Sequence, residues 1–166
     1  MNSGFAGGTG TLQIPDIEDV VSLLEEVNLP VADLNSPMLQ HFLGAYMDSE
    51  LIAVGGLEVH ARHALLRSLA TAPARRNQGF ASQIVSALEH RARSAGVSDL
   101  YLLTETAQAF FASRGFALVP RDAAPSPIAG SPQFRELCPA SAAFMHKRLV
   151  ALSISLADGA NRLPDR

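Results

Sequence analysis

The sequence predicts an α/β (α+β) fold in which a central mixed, mostly antiparallel twisted sheet is flanked by helices. Three observations carry this. Apolar runs of strand length recur along the chain, separated by polar or proline-bearing turns. Several of those runs are joined by connections so short that only a hairpin fits, as at Asp48-Ser49-Glu50. Two longer stretches instead repeat their apolar residues every three or four positions, the period of a helix with one buried face.

Taken in order, Thr11 to Ile14 reads as a short strand, and Pro15-Asp16 then starts a helix whose Ile17, Val20, Val21, Leu24 and Val27 share a face. Pro30 and Pro37 bracket a polar connection. His41 to Met47 and Leu51 to Glu58 follow as a hairpin, and Ala64 to Thr71 adds a third strand, closed by Pro73 because proline cannot donate a ladder hydrogen bond. From Gly79 to Ala95, Phe80, Ile84, Val85, Leu88 and Ala92 mark a second long helix, with Gly96 at its C-terminal cap. Leu100 to Leu103 is a buried type of strand, Thr106 to Arg114 a helix stopped by Gly115, and Phe116 to Val119 another strand. Pro120 to Pro139 is proline-rich and holds a short helix around Gln133 to Leu137, before Ala142 to Leu149 returns as the last strand. Read as an edge strand, it could, with the Pro120 to Pro139 segment, exchange or pair with a second subunit, which makes a homodimer an expectation.

A chain of 166 residues, 48% hydrophobic and 17% charged, buries one sizeable core and is too short for two ordinary domains. Residues 11 to 150 form that domain. Residues 1 to 10 and 151 to 166 lack amphipathic periodicity and read as tails. With 13 basic against 16 acidic residues, the net charge of -3 offers no general attraction to nucleic acid or to anionic membranes. The single cysteine, Cys138, excludes an internal disulfide, no zinc-ligand spacing occurs, and the glycine-rich start lacks signal-peptide features. The expectation is a cytoplasmic protein without a metal.

The segment that carries chemistry is Leu69-Ala-Thr-Ala-Pro73-Ala-Arg-Arg76-Asn-Gln-Gly79-Phe-Ala81, a strand that stops at proline, turns through basic residues and enters a long helix at a glycine. Backbone N–H groups at such a junction lack intrahelical partners and are backed by the positive end of the helix dipole, so they form a cradle for pyrophosphate. Gly79 and Ala81 let phosphates approach the backbone, with Asn77, Gln78 and Phe80 between and beside them, and Arg76 adds charge-assisted hydrogen bonds.

Arg76-x-x-Gly79-x-Ala81 resembles the RxxGxA acetyl-coenzyme A motif of the GCN5-related N-acetyltransferases (GNAT). A second signature of that family, an aromatic pair followed by three residues and Gly-Phe, is similar to Phe110-Phe111-Ala-Ser-Arg-Gly115-Phe116. The resemblance covers residues 11 to 150. It implies a GNAT fold, acetyl-coenzyme A as co-substrate, and direct transfer of the acetyl group to an amine. It also implies that backbone groups at Leu69 and Thr71 bond the pantetheine arm. Many members carry a tyrosine where this chain has Phe111, and a phenyl ring cannot protonate the departing thiolate, so the resemblance assigns Phe111 to packing beside the cofactor.

An attacking amine must lose a proton, and Glu58 is the first candidate base. Glu58 and Arg67 read equally as an ion pair between neighbouring strands. His60 and His63, expected in a turn, Glu105, expected before a helix, and Tyr101 rank lower. Arg67 and Arg121 are candidates for gripping a carboxylate on the acceptor, Arg121 reading equally as a solvated loop residue. Cys138 reads as structural. Ala64 to Ala70, Leu102 to Ala107, Val119 to Pro125 and Leu137 to Met145 resemble a subgroup associated with bacterial arsenic-resistance clusters. That resemblance implies acetylation of an amino acid or of a glutamate-like organoarsenical or organophosphorus toxin. A non-catalytic acyl-coenzyme A sensor, and an acetyltransferase of protein N-termini or lysines, remain as alternatives.

Overall fold

A computed structural model of the protein describes residues 10–150, so that the expected tails lie outside it apart from Gly10. The strands are β1 (Thr11–Gln13), β2 (Phe42–Met47), β3 (Glu50–His60), β4 (His63–Thr71), β5 (Asp99–Thr104), β6 (Ala117–Leu118) and β7 (Ala143–Arg148). The helices are α1 (Ile17–Glu26), α2 (Phe80–Ser94), α3 (Gln108–Ser113) and the single turn α4 (Ser126–Ala129). All seven strands form one sheet in the order β1-β2-β3-β4-β5-β7-β6. Only β4 and β5 run parallel, because α2 crosses over between them, and every other pair is antiparallel.

Alternation along the strands sends neighbouring residues to opposite faces. Leu57, Leu66 and Leu102 pack with Ile84, Val85 and Leu88 of α2 and with Phe111 of α3. On the other face, Phe42, Val54 and Ala70 pack with Val20, Leu23 and Leu24 of α1, while Leu65, Tyr101 and Phe144 meet Ile128 of α4. Gly56 is required by close approach: a Cβ there would run into the Phe42 ring.

The three longer helices end in the same way. At α1, Leu29 N–H donates to Leu24 and Asn28 N–H to Glu25; at α2 the donors are Val97 to Ala92 and Gly96 to Arg93; at α3 they are Phe116 to Phe111 and Gly115 to Ala112. Each is a Schellman cap with its pivot residue in the left-handed region, at φ 59° for Asn28, 82° for Gly96 and 93° for Gly115. In α3 the two capping aromatics also touch edge to face, Phe111 against Phe116 at 5.5 Å. Part of the aromatic Gly-Phe signature is therefore a helix stop.

Four expectations need correction. β2 begins at Phe42 rather than at His41, because Ser36–His41 closes into a 3-10 turn in which Asn35 Oδ1 accepts from Met38 N–H at 3.1 Å and Pro37 suits the first turn. β3 and β4 run to His60 and from His63, so these histidines face each other in the ladder and the turn is only Ala61-Arg62. Four residues of the proline-rich stretch close into α4, helped by Pro127 in the first turn. The last strand, β7, is no edge: it lies between β5, which pairs with it along its whole length, and the short β6, which pairs with it at Met145 and His146, and the edges are β1 and β6. The edge-pairing argument for a homodimer therefore does not apply to it. Among the described residues no helix is long and apolar enough to cross a membrane, and no group of three or more His, Cys, Asp or Glu is placed to hold a metal ion.

Candidate active site

The parallel pairing of β4 with β5 stops early, running only from His63 opposite Asp99 to Leu66 opposite Leu102. The cause lies one residue further along β4. Gly56 pairs with Arg67 and Val54 with Ala70, so Ser68 and Leu69 together oppose Gly55 alone, and Ser68 takes a left-handed φ of 56°. Such a bulge bends and twists its strand. Beyond it β4 and β5 diverge, and a cleft of about 840 Å3 opens between Arg67–Thr71 of β4 and Leu102–Ala107 at the end of β5.

One end of the cleft is the start of α2. The chain leaves β4 through a turn at Pro73–Arg75, passes Asn77 at φ 62°, and enters the helix at Gly79 with φ 86°. A side chain at Gly79 would be strained by that φ, and its Cβ would meet no protein atom within 4 Å, so the space over this backbone is open. Gly79, Phe80, Ala81 and Ser82 all line the cleft, which places the first turn of a 15-residue helix and its positive dipole end there. Arg75, Arg76 and Asn77 line it as well, and neither arginine forms an ion pair among the described residues. Gln78 does not line the cleft; its Nε2 donates to Ala74 O at 3.5 Å and steadies the loop. This end fits a pyrophosphate: helix N–H groups, an open glycine and two arginines without acidic partners.

Beside it, Leu69 and Thr71 line the wall of β4, and Phe110 and Phe111 the wall of α3. Phe111 is buried and touches Phe110 edge to face at 5.1 Å, a packing role. Thr104 Oγ1 accepts from Ala107 N–H at 3.0 Å, turning the chain from β5 towards α3, and leaves Glu105 exposed at the rim.

The other end is organised by Arg67, whose side chain is 1% exposed. Its Nη1 and Nη2 donate to the two oxygens of Asp33 at 2.5 and 2.7 Å, Nη1 also to Glu58 Oε1 at 2.6 Å, and Nε to Ser68 Oγ at 3.1 Å. Gln133 Nε2 donates to Asp33 Oδ1 at 3.4 Å, and Gln133 Oε1 accepts from the Cys138 thiol at 3.5 Å. Burial opposes the Asp33 charge, but the hydrogen bonds and charge of Arg67 outweigh it and hold that carboxyl below its ordinary value. Burial likewise opposes the Arg67 charge and the two carboxylates overcome it, so the guanidinium stays cationic. Burial pushes the Cys138 thiol up, keeping it protonated.

Of the residues singled out from sequence, the fold brings Arg67, Leu69, Thr71, Arg76, Asn77, Gly79, Phe80, Ala81 and Phe111 to one cleft. Glu58 and Arg67 form the ion pair, and Glu58 stands behind the lining with Oε2 3.7 Å from His60 Nε2. Arg121 is half-buried, tied to the neighbouring backbone, and does not line the cleft. Its Nη2 donates to Pro139 O at 2.7 Å and Ala142 O at 3.3 Å, and its guanidinium lies 5.2 Å over the Phe134 ring, so it pins the wall segment from behind. Tyr101 is stacked on Phe144 and packed against His146, on the face away from α2. Sequence reasoning missed Asp33 and Gln133. Neither sits in a local pattern; an isolated acid between Pro30 and Pro37 carries no signal until the fold sets it against Arg67.

The family model described as Acetyltransferase (GNAT) family matches residues 16–116. No curated protein matches the sequence. Among solved structures, the fold is similar to N-acetylglutamate synthase from Neisseria gonorrhoeae complexed with coenzyme A and N-acetyl-glutamate, at 19% identity and TM-score 0.74, over 87% of this chain and 36% of that one. The chain thus spans about a third of that synthase. It is similar to Rv2747 from Mycobacterium tuberculosis in complex with CoA and NLQ, at 19% identity and TM-score 0.69, over 84% of this chain and 99% of that one. It is also similar to an acetyltransferase of the GNAT family from Staphylococcus aureus Mu50, at 15% identity and TM-score 0.68, over 85% and 99% of the two chains. At these identities the likeness is one of fold.

Proposed function

The chain belongs to the acetyltransferase (GNAT) family, and from that premise we propose that it moves an acetyl group from acetyl-coenzyme A to the amino group of a small, amino-acid-like acceptor. The observation that carries this reading is the polarity of this one cleft, whose two ends differ. One end offers helix N–H groups and arginine charge without acidic partners; at the other a guanidinium and a carboxamide converge on a carboxylate.

In this reading the Arg76 to Ala81 loop holds the pyrophosphate, with Arg76, Asn77 and Gly79 facing it and Gln78 holding the loop's shape. Leu69 and Thr71 present backbone groups to the pantetheine arm where β4 has lost its partner, and Phe111 packs beside it. Acetyl-coenzyme A supplies a thioester carbonyl: the amine's C–N bond forms as the C–S bond breaks. With phenylalanine at 111, the thiolate takes its proton from water or leaves unassisted, which ordinary thiol acidity allows. Glu58, outside the cleft lining, is the candidate for taking up the amine's proton through an intervening water, at the Oε2 that Arg67 leaves unbound on the side of His60. Arg67 supports an acceptor bearing a carboxylate, and Arg121 acts by holding the wall at Pro139 and Ala142. The complex of one similar fold, N-acetylglutamate synthase, with coenzyme A and N-acetyl-glutamate favours the same acceptor class. A glutamate-like organoarsenical or organophosphorus toxin as physiological acceptor rests on the four sequence stretches named above.

The test is a thiol-release assay with product mass spectrometry over amino acids, glutamate analogues including arsenical and phosphinic ones, polyamines and peptides. Acetylated amino acids or analogues are expected. Tight coenzyme A binding with no acylated product would instead mark a sensor, and product from peptides alone would move the acceptor to protein.

A further inference from the structure

The Asp33 carboxylate is held as proteins hold a bound carboxylate. Two parallel N–H groups of the Arg67 guanidinium meet its two oxygens at 2.5 and 2.7 Å, and the Gln133 carboxamide adds a third donor at 3.4 Å. Both donor residues are buried, at 4% and 6% exposure, and both line the cleft. They belong to the scaffold, Arg67 to β4 inside the sheet and Gln133 to the helical turn Gln133–Leu137. Asp33 comes instead from the connection between α1 and the 3-10 turn, whose residues 27 to 30 line the cleft while Asp33 does not. Two residues that line the cleft therefore hold their side-chain donors on a carboxylate of the same chain.

Glu58 makes the arrangement exchangeable. It holds Nη1 at 2.6 Å from the neighbouring strand, so the guanidinium keeps one scaffold partner whatever becomes of Asp33. Replacing Asp33 by another carboxylate leaves two acids on one base, and no buried charge loses its partner. An internal occupant of this kind lowers the apparent affinity for any ligand that must displace it.

We propose that Arg67 and Gln133 form the subsite for the acceptor's carboxylate and that Asp33 occupies it until an acceptor carboxylate takes its place. The proposal rests on the amino-acid-like reading of the acceptor. It makes Asp33 a specificity-determining residue that no local sequence pattern marks.

The experiment measures binding of L-glutamate and of L-glutamate dimethyl ester, which keeps the amine but has no free carboxylate, to the protein with coenzyme A present. Asp33→Asn, which keeps the shape and removes the charge, is expected to tighten L-glutamate by about tenfold and to leave the ester unchanged. Glutamate affinity that is unchanged or weaker in Asp33→Asn, or a gain shared by the ester, overturns the proposal. Should that variant fail to fold, hydrogen exchange on the unaltered chain decides: L-glutamate, but not the ester, must raise amide exchange in residues 28–35, and no rise overturns it. The two readings fail separately. Product formed only from amines without a carboxylate, with glutamate binding insensitive to Asp33, removes the subsite and leaves the acetyltransferase. Tightened glutamate binding with no product from any amine does the reverse.

Discussion

At the Gly79 end of the cleft every group comes from one stretch of eight residues, Arg75 to Ser82, whereas the four that meet at the Arg67 end, Asp33, Glu58, Arg67 and Gln133, are drawn from positions up to 100 residues apart. The charge differs in the same way. The two arginines of the loop have no acidic partner among the described residues, while Arg67 already carries two. The contrast teaches what each end does before a ligand arrives. A helix start presents its N–H groups because its own geometry leaves them over, so the Gly79 end is ready as built. A buried guanidinium cannot be left unpaired, so before a ligand arrives the Arg67 end holds carboxylates of its own chain, Glu58 from the neighbouring strand and Asp33 from the α1 connection.

That contrast can be broken experimentally. The largest effect is expected from Arg67→Ala, which strands two carboxylates in the interior and should destabilise the fold by about 3–5 kcal/mol; denaturant unfolding measures it, and a loss under 1 kcal/mol would make this end no more than a surface ion pair. Next comes Gly79→Val. Its left-handed φ costs only about 1–2 kcal/mol of stability, yet the branched side chain fills the space over the loop, so coenzyme A affinity should fall by about 100-fold, read by calorimetry. A variant that binds coenzyme A normally would reduce Gly79 to a helix cap.

A smaller effect separates the two ends by pH. Asp33 titrates below its ordinary value of 3.8, so its contribution to stability is complete above that pH and is lost as pH falls through the lower folded value. Acid unfolding of the Asp33→Asn variant should therefore lack part of the slope that the unaltered chain shows below pH 3.8, and superimposable curves would refute the coupling. Smallest is Arg76→Ala, an exposed loop residue. It should weaken coenzyme A by about three- to tenfold at low salt, with most of that difference erased in molar salt. A salt-independent loss would point to packing rather than charge.

How much could be read in advance follows the same division. Gly96 and Gly115 each stop a helix by donating to the residue three places back while the next residue donates five places back, so these two helix ends could be placed from the sequence. The same cap at Asn28 could not, because asparagine in the left-handed region carries a weaker signal than glycine. The Gly79 junction was legible for the same reason. The place of β7 was not, because strand order depends on which edge of β5 the chain reaches after α4 and the Gln133 turn. Nor was the early parting of β4 and β5, since the bulge at Ser68 shows only as a pairing register between two strands.

By itself, then, the sequence determined the two long helices, most of the strands, the glycine caps at Gly96 and Gly115, and the loop from Arg76 to Ala81, all of them set by interactions within a few residues. Only the tertiary structure decided that Glu58 pairs with Arg67, that Arg121 holds Pro139 and Ala142, and that Asp33 and Gln133 gather at Arg67. The reason is physical. A buried charge takes as its partners whatever groups the folded chain brings within hydrogen-bonding distance, and at Arg67 that set spans the molecule from the α1 connection to the Gln133 turn.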